Sequence, residues 1–174
     1  MRKSFQESGF TIIELIVVFS IIAILSVIGV AAFVNYSRIQ TLESAASDLS
    51  STLLVAKSRA ISQVKPSSQI PQCNDTAILN GYRVILCSPS SFDVLCTANN
   101  SYVLAVRCSK ADYKMKSSAL PKNVIFSPSP TSSSFYFPVI SSGVQGAGTI
   151  SLTLTTDNNL KTITVDPIGG IQTQ

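Results

Sequence analysis

The apolar positions divide the chain into three parts, and the first of them is almost continuously apolar. Residues 10–33 contain a single charged residue, Glu14. As a helix this run would be roughly 36 Å long, against a bilayer hydrocarbon core of about 30 Å. We therefore predict a transmembrane helix over residues 10–34. The basic leader over residues 1–9 is expected to keep the N-terminus cytoplasmic and to send the rest of the chain across the membrane.

Beyond residue 34 the pattern becomes that of an amphipathic helix, predicted over residues 35–65. Its apolar residues are spaced alternately by three and four: Ile39, Leu42, Ala46, Leu49, Leu53, Ala56 and Ala60. One stripe with small alanines favours a helix packed on a sheet over the alternative, a coiled-coil seam. Because the residue before a proline avoids the helical conformation, Pro66 should limit the helix to about Val64 or Lys65.

Residues 66–174 carry strand and turn patterns and predict a β-rich globular domain. Strands are expected at 82–87, 102–108, 124–126 and 135–139, and the alternating segments 149–155 and 160–165 predict a hairpin around Asp157, Asn158 and Asn159. The Ser- and Pro-rich stretch 127–134 predicts an exposed loop. The predicted fold class is therefore α+β, with a long N-terminal helix packed on an antiparallel β-sheet domain.

The cysteines all follow the apolar run; they are Cys73, Cys87, Cys96 and Cys108. An even number beyond a membrane anchor indicates two disulfides in an oxidising compartment. If the first two predicted strands pair antiparallel, Cys108 lies near the segment with Cys73, and Cys87 and Cys96 share the connection. This favours the nested pairing over the sequential one. A zinc site is a further alternative, but the chain has no C-x-x-C pair and no histidine.

Charge and composition exclude several functions. The net charge of +4 does not by itself indicate nucleic acid, and the absence of histidine excludes His-dependent acid–base chemistry. We find no nucleophile with a base, no phosphate loop and no metal-ligand spacing, so we expect no enzyme activity, no cofactor and no metal.

The most basic stretch, residues 109–122, is a candidate patch for DNA or another ligand. Its lysines are Lys110, Lys114, Lys116 and Lys122. The stretch lacks a ladder of aromatic residues, since Tyr113 is its only one, so a solvated loop or short helix is favoured over a surface for single strands.

Residues 9–18, GFTIIELIVV, resemble the prepilin signature of type IV pilins and type II secretion pseudopilins. The resemblance implies a type IV pilin-like fold and cleavage by a prepilin peptidase after Gly9. It also implies N-methylation of the new first residue, Phe10, and retention of the apolar helix as the assembly stalk. An ordinary secretory signal peptide fits less well, because the apolar run is long, contains Glu14 and follows Ser8 and Gly9. A plain signal anchor is the other alternative.

Glu14 needs a physical account because a lone carboxylate in a membrane helix is unfavourable. Cleavage before Phe10 would create an ammonium about 6 Å of helix from Glu14. In a helix bundle a neighbour's ammonium can pair with that carboxylate and offset part of its desolvation. We therefore predict that Glu14 sets the register of assembly through an intermolecular ion pair. An unpaired acid that snorkels to the interface is the alternative.

The order of the downstream segments resembles the H-type minor pseudopilins and the related FimT-type minor pilins. It comprises a helix, early strands, a Gly-rich turn at 143–148, a Thr-rich hairpin and the terminal Pro167-x-Gly169-Gly170. Many major pilins have a proline about two-thirds along the apolar helix; here the matching stretch, 29–33, has none. Relatives implicated in DNA uptake carry arginines after the final glycine, and here the chain reads Ile171, Gln172, Thr173 and Gln174.

These resemblances imply a structural minor subunit of a type II secretion pseudopilus or a type IV pilus. The implied partners are other pilin or pseudopilin subunits, the peptidase that also methylates, an inner-membrane assembly platform and membrane lipid. The implied location is the bacterial inner membrane, single-pass with the globular domain outside the cytoplasm, and then the filament. The alternative function is a filament-tip module that binds DNA or a surface.

Overall fold

The computed structural model describes the chain from residue 10 to residue 174, except residues 67–69, 75, 90–92, 128–131, 142 and 157–158 and the side chains of residues 27–29 and 31. The predicted leader 1–9, with Gly9, lies outside the described residues. So do half of the predicted loop 127–134, namely residues 128–131, and two residues of the predicted hairpin turn. The chain divides into two compact units, Met1–Ser37 and Arg38–Gln174.

One helix, α1 (Ile12–Ile61), contributes to both units. In the first unit its described side chains are exposed on every side, from Phe10 before the helix at 82% to Phe33 at 70%. We predicted a membrane span over residues 10–34. No helix within the described part of the chain combines the length and the apolarity that a membrane crossing requires.

In the second unit α1 carries the predicted apolar stripe into the core. Ile39 is half-buried, and the other members of the stripe are buried: Leu42, Ala46, Leu49, Leu53, Ala56 and Ala60. They pack in one cluster with side chains from two β-sheets, which confirms the prediction of a helix laid against a sheet.

The helix ends earlier than we predicted, at Ile61 instead of Val64 or Lys65. The amide of Val64 donates to the carbonyl of Arg59, and that of Gln63 to the carbonyl of Ala60. Gln63 has a φ of 51°. These two bonds around a left-handed residue are the Schellman motif, so a left-handed glutamine, and not Pro66, ends the helix.

Within the described residues, the strands of the predicted antiparallel β-sheet domain form two four-stranded sheets. In chain order they are β1 (Leu79–Cys87), β2 (Ser101–Cys108), β3 (Ala111–Ala119), β4 (Val124–Phe126), β5 (Ser134–Pro138), β6 (Gly148–Leu154), β7 (Leu160–Val165) and β8 (Ile171–Thr173). The β1 sheet has the order β3-β2-β1-β5, and the β6 sheet the order β4-β6-β7-β8. A short 3₁₀ turn, Pro71–Cys73, precedes β1.

Strand prediction was right where side chains alternate or run apolar. The antiparallel pairing of β1 with β2 and the β6–β7 hairpin are confirmed. The stretch that we predicted as a solvated loop or short helix is instead the edge strand β3. Ser109 and Lys110, with φ of 51° and 73°, form the two-residue turn into it, and two positive φ values in such a turn match the twist of the strands.

The C-terminal turn is fastened to α1. The ammonium of Lys57 donates to the carbonyl of Gly169 at 2.8 Å. Gly169 has a φ of 81°, which favours glycine, and a Cβ on Gly170 would lie 2.9 Å from a carboxylate oxygen of Asp166. The terminal Pro-x-Gly-Gly is therefore a tight turn that leads β7 into β8.

We predict that Gln63→Gly stabilises the protein by about 0.5–1 kcal/mol. Glycine relieves the left-handed strain of a side-chain-bearing residue, and its greater freedom in the unfolded chain cancels part of that gain. Urea unfolding of the oxidised protein measures the change. The control, Ser47→Gly, places glycine at an exposed position inside α1 and should destabilise by about 0.5–1 kcal/mol. A loss of stability for Gln63→Gly would contradict the assigned role.

Candidate functional site

The start of α1 has Glu14 in its first turn and Phe10 two residues before it, and it carries a capping interaction that the sequence pattern contains but that we did not predict. Thr11 is the residue before the helix, and its Oγ1 accepts a hydrogen bond from the amide of Glu14 at 3.4 Å. Thr-x-x-Glu at a helix start is the capping-box pattern, so the signal was present in the sequence. Phe10 and Glu14 are both exposed, and Glu14 is the only acid in the first turn.

A negative side chain suits this position. The free amides of a helix start give it a partial positive charge, which a carboxylate in the first turn stabilises. An ammonium on Phe10 would add a full positive charge at the same end. The start of this apolar helix therefore carries the negative charge of Glu14. It would also carry a positive charge if Phe10 became the first residue of the chain.

The cysteines form two disulfides in the nested arrangement, Cys73 with Cys108 and Cys87 with Cys96, and not a zinc site. The first bond ties the 3₁₀ turn before β1 to the end of β2. The second closes the connection between β1 and β2 over the outer face of the β1 sheet, the face opposite α1, where Cys87 and Cys96 pack with Ile85, Val103 and Ala105.

The four candidate lysines do not converge on one surface. Lys110 lies in the turn before β3, and Lys122 follows β3 beyond Pro121. Lys114 pairs with Ala105, whose side chain is on the outer face, whereas Lys116 pairs with Leu104, whose side chain is in the core on the α1 side. A bulge at Met115 causes this change of face, so Lys114 and Lys116 point to opposite sides of the sheet.

The outer face of the β1 sheet instead carries a polar network centred on Asp112. Arg107 donates to both carboxylate oxygens, Nε at 2.6 Å and an Nη at 2.7 Å. Arg83 donates to the same carboxylate at 3.0 Å and lies 3.3 Å from a carboxylate oxygen of Asp93. The bidentate pair and the shared carboxylate fix both guanidinium groups on the sheet.

Two further contacts extend the network to β5. A second nitrogen of Arg83 donates to the hydroxyl of Ser134 at 3.1 Å, and the guanidinium of Arg107 lies 4.8 Å from the ring centroid of Tyr136. The hydroxyl of Tyr136 donates to the carbonyl of Asn80. The network therefore joins β3, β2, β1 and β5 across the whole outer face, and Asp93 attaches the β1–β2 connection to it.

The contacts within the network shift the pKa values of Asp112, Arg107 and Tyr136. Burial alone would raise the pKa of Asp112, but hydrogen bonds from Arg107 and Arg83 and their positive charges together outweigh it and hold that pKa below its ordinary value of 3.8. The hydrogen bond to Asp112 raises the pKa of Arg107. Burial raises the pKa of Tyr136. The charges of Arg83 and Arg107 are balanced by those of Asp93 and Asp112, so the network stabilises the sheet.

In the part of the chain that the structure describes, no group of side chains is assembled that could hold a metal ion. The four cysteines are consumed by their disulfides. The candidate site of the first unit is therefore the helix start with Phe10, Thr11 and Glu14. The second unit carries the two disulfides and the Asp112 network.

Comparison with known proteins matches the N-terminal segment. Residues 5–30 match the prokaryotic N-terminal methylation motif, a type IV pilin-like signal. The matched residues include Gly9, Phe10 and Glu14. Comparison with curated proteins and with solved structures returned no match.

We predict that Asp112→Asn destabilises the protein by about 1–3 kcal/mol at neutral pH, because both arginines lose their shared carboxylate. The lowered pKa of Asp112 means that its charge stabilises the fold above the unfolded-state pKa of about 3.8 and that this contribution disappears as the pH falls from there through the folded-state pKa. Denaturant unfolding between neutral and acid pH should therefore show a smaller acid-induced loss in the variant.

The matched control is Asp48→Asn, which removes an exposed carboxylate on α1. It should change stability by less than about 0.5 kcal/mol and keep the acid-induced loss of the parent protein. Equal behaviour of the two variants would show that the Asp112 network contributes no stability.

Proposed function

We propose that the chain is a minor structural subunit of a type II secretion pseudopilus or a type IV pilus, of the H-type or FimT-type group. The observation that carries the proposal is the methylation motif at residues 5–30, which supports a processed, type IV pilin-like subunit. The motif indicates a structural protein of this kind and not a known enzyme family.

In this proposal a prepilin peptidase cuts after Gly9 and Phe10 is N-methylated. The exposed apolar surface of residues 10–34 supports a location in the inner membrane before assembly, and a location against other subunits afterwards. The largely apolar character of this segment favours such an environment, because a helix with apolar side chains on all sides is stable only where lipid or protein surrounds it.

Glu14 gives the assembled helices their register. A processed neighbour presents its ammonium at Phe10, and pairing with Glu14 offsets the desolvation of both charges inside the helix bundle. A misregistered helix would bury Glu14 without a partner. The ion pair therefore contributes less to the affinity between subunits than to the choice of one position of each helix along the filament axis.

The globular unit fits a subunit that must persist outside the cytoplasm. Its two disulfides and the Asp112 network tie the β1–β2 connection to the sheet and the loop before β1 to β2. The terminal Pro-x-Gly-Gly turn, fastened to Lys57, agrees with the H-type resemblance of the sequence.

We predict that both Glu14→Ala and Glu14→Gln lower incorporation into sheared filaments by about tenfold or more, because each removes the carboxylate from a desolvated ion pair. Immunoblots of the filament and membrane fractions measure the ratio. Glutamine can serve in a capping box as glutamate does, so Glu14→Gln preserves the helix start while it removes the charge.

Ser20→Ala is the control on the same helix, because Ser20 is exposed and its hydroxyl donates, among the described residues, to the carbonyls of Ile16 and Val17 of its own helix. It should enter filaments as the parent chain does. Normal incorporation of Glu14→Gln with loss of Glu14→Ala would assign Glu14 to helix capping alone and contradict the ion-pair account.

A further inference from the structure

A groove between α1 and the β3 edge of the β1 sheet has the chemistry of a ligand site. It encloses about 500 Å³ and lies wholly within the second unit. Its walls come from one flank of the helix and from β2 and β3: Ser51, Thr52, Val55, Arg59, Leu104, Met115 and Lys116. The groove does not involve the Asp112 network, which occupies the other face of the sheet.

Two cations, Arg59 and Lys116, line this groove. Within the described residues, neither Arg59 nor Lys116 forms an ion pair, whereas Arg83 and Arg107 both do. Arg59 is half-buried, and the hydrogen bond of its guanidinium in the described structure goes to the sulfur of Met115 at 3.9 Å. A thioether is a weak acceptor, so most of the donor capacity of Arg59 is open to a ligand.

The bulge in β3 builds the site. It places Met115 and Lys116 on the α1 side of the sheet, opposite Arg59. Without the extra residue, strict alternation would send one of these two side chains to the outer face. The groove thus gains a polarizable apolar wall and a second positive charge at the same place.

The remaining walls define the class of ligand. Val55, Leu104 and Met115 offer apolar surface beside the two cations, and Ser51 and Thr52 offer hydroxyls. Residues 51–59 lie inside α1, so none of the free amides of its N-terminus, which commonly hold phosphate, faces the groove. A planar carboxylate on an apolar body matches a guanidinium fork beside an apolar wall.

We propose that this groove is a binding site for an organic carboxylate, with the carboxylate on Arg59 and Lys116 and its apolar body against Val55 and Met115. The carboxylate can belong to an acidic side chain of a protein partner or to a free organic acid. The site does not depend on the assembly function proposed above, since all of its residues lie in the globular unit.

Met115 is a direct reporter of the site, because the chain contains two methionines, Met1 and Met115. Detergent-solubilised full chain with ¹³C-methyl methionine should give two methyl signals, and Met115→Leu assigns one of them. Titration with hexanoate should shift the Met115 signal saturably. Hexanamide, which has the same size and partitions into the micelle but lacks the charge, should leave the signal in place.

Removal of the cations should weaken the response. We expect Arg59→Gln to raise the hexanoate Kd by about tenfold or more and Lys116→Gln to raise it several-fold, since charge-assisted hydrogen bonds are lost. Lys116 is exposed, so its variant keeps the test valid if Arg59→Gln folds poorly. The control, Lys161→Gln, changes a lysine that is paired with Glu43 in a separate groove and should bind as the parent chain does.

One further probe, the dipeptide acetyl-Leu-Glu-amide, identifies the source of the carboxylate. Tighter binding of acetyl-Leu-Glu-amide than of hexanoate would assign the site to an acidic segment of a protein partner, and the reverse would assign it to a free organic acid; either result supports the site. Equal shifts with hexanamide, unchanged affinity in both Arg59→Gln and Lys116→Gln, or stronger binding of inorganic phosphate than of hexanoate would overturn the proposal.

Discussion

The exposed apolar surface of residues 10–34 is the physical constraint that the proposed function must explain. Full burial of a large apolar side chain is worth roughly 1.5–3 kcal/mol, and this segment presents many such side chains on every side of its helix. The core of the chain is built from residues between Leu42 and Val165. The described side chains of residues 10–34 are exposed and are not members of that core. In the function that we propose, lipid or other helices cover them.

A single carboxylate in such a segment changes its role. Without Glu14, the helix could slide or rotate against apolar neighbours with little penalty. In the proposed assembly, each arrangement that leaves the charge of Glu14 buried and unpaired is penalised, and the ammonium of a processed Phe10 would be the compensating partner. The capping bond from the Glu14 amide to Thr11 fixes where the helix begins, and thereby fixes the position of the carboxylate relative to Phe10.

The periodicity of the helix and the alternation of the strands were readable from the sequence because burial imposes them. The core stripe from Leu42 to Ala60 and the β6–β7 hairpin followed from that pattern. The edge strand β3 could not be predicted in this way. At the sheet edge its lysines and serines are exposed, so they do not alternate with apolar residues, and its turn, Ser109 and Lys110, lacks the usual glycine.

Other features depend on contacts that only the folded chain creates. The helix end follows from a left-handed Gln63, a conformation that the residue type does not favour. The register of β2 with β3 brings Asp112 to Arg107, and Arg83 contacts Asp112 from the next strand, β1. No spacing of residues along the sequence therefore predicts the network. The groove at Arg59 likewise requires the bulge at Met115, which sequence alternation alone does not reveal.

Mass spectrometry of the chain's N-terminus in sheared surface filaments tests most directly whether the protein is processed and assembled as proposed. Cleavage C-terminal to glutamate should release the short peptide that ends at Glu14, and mass spectrometry should find it beginning with Phe10 and carrying one added methyl group. This result would establish processing after Gly9, methylation and filament assembly together. A filament-associated chain that begins at any other residue, or an unmodified leader in the filament fraction, would contradict the central claim.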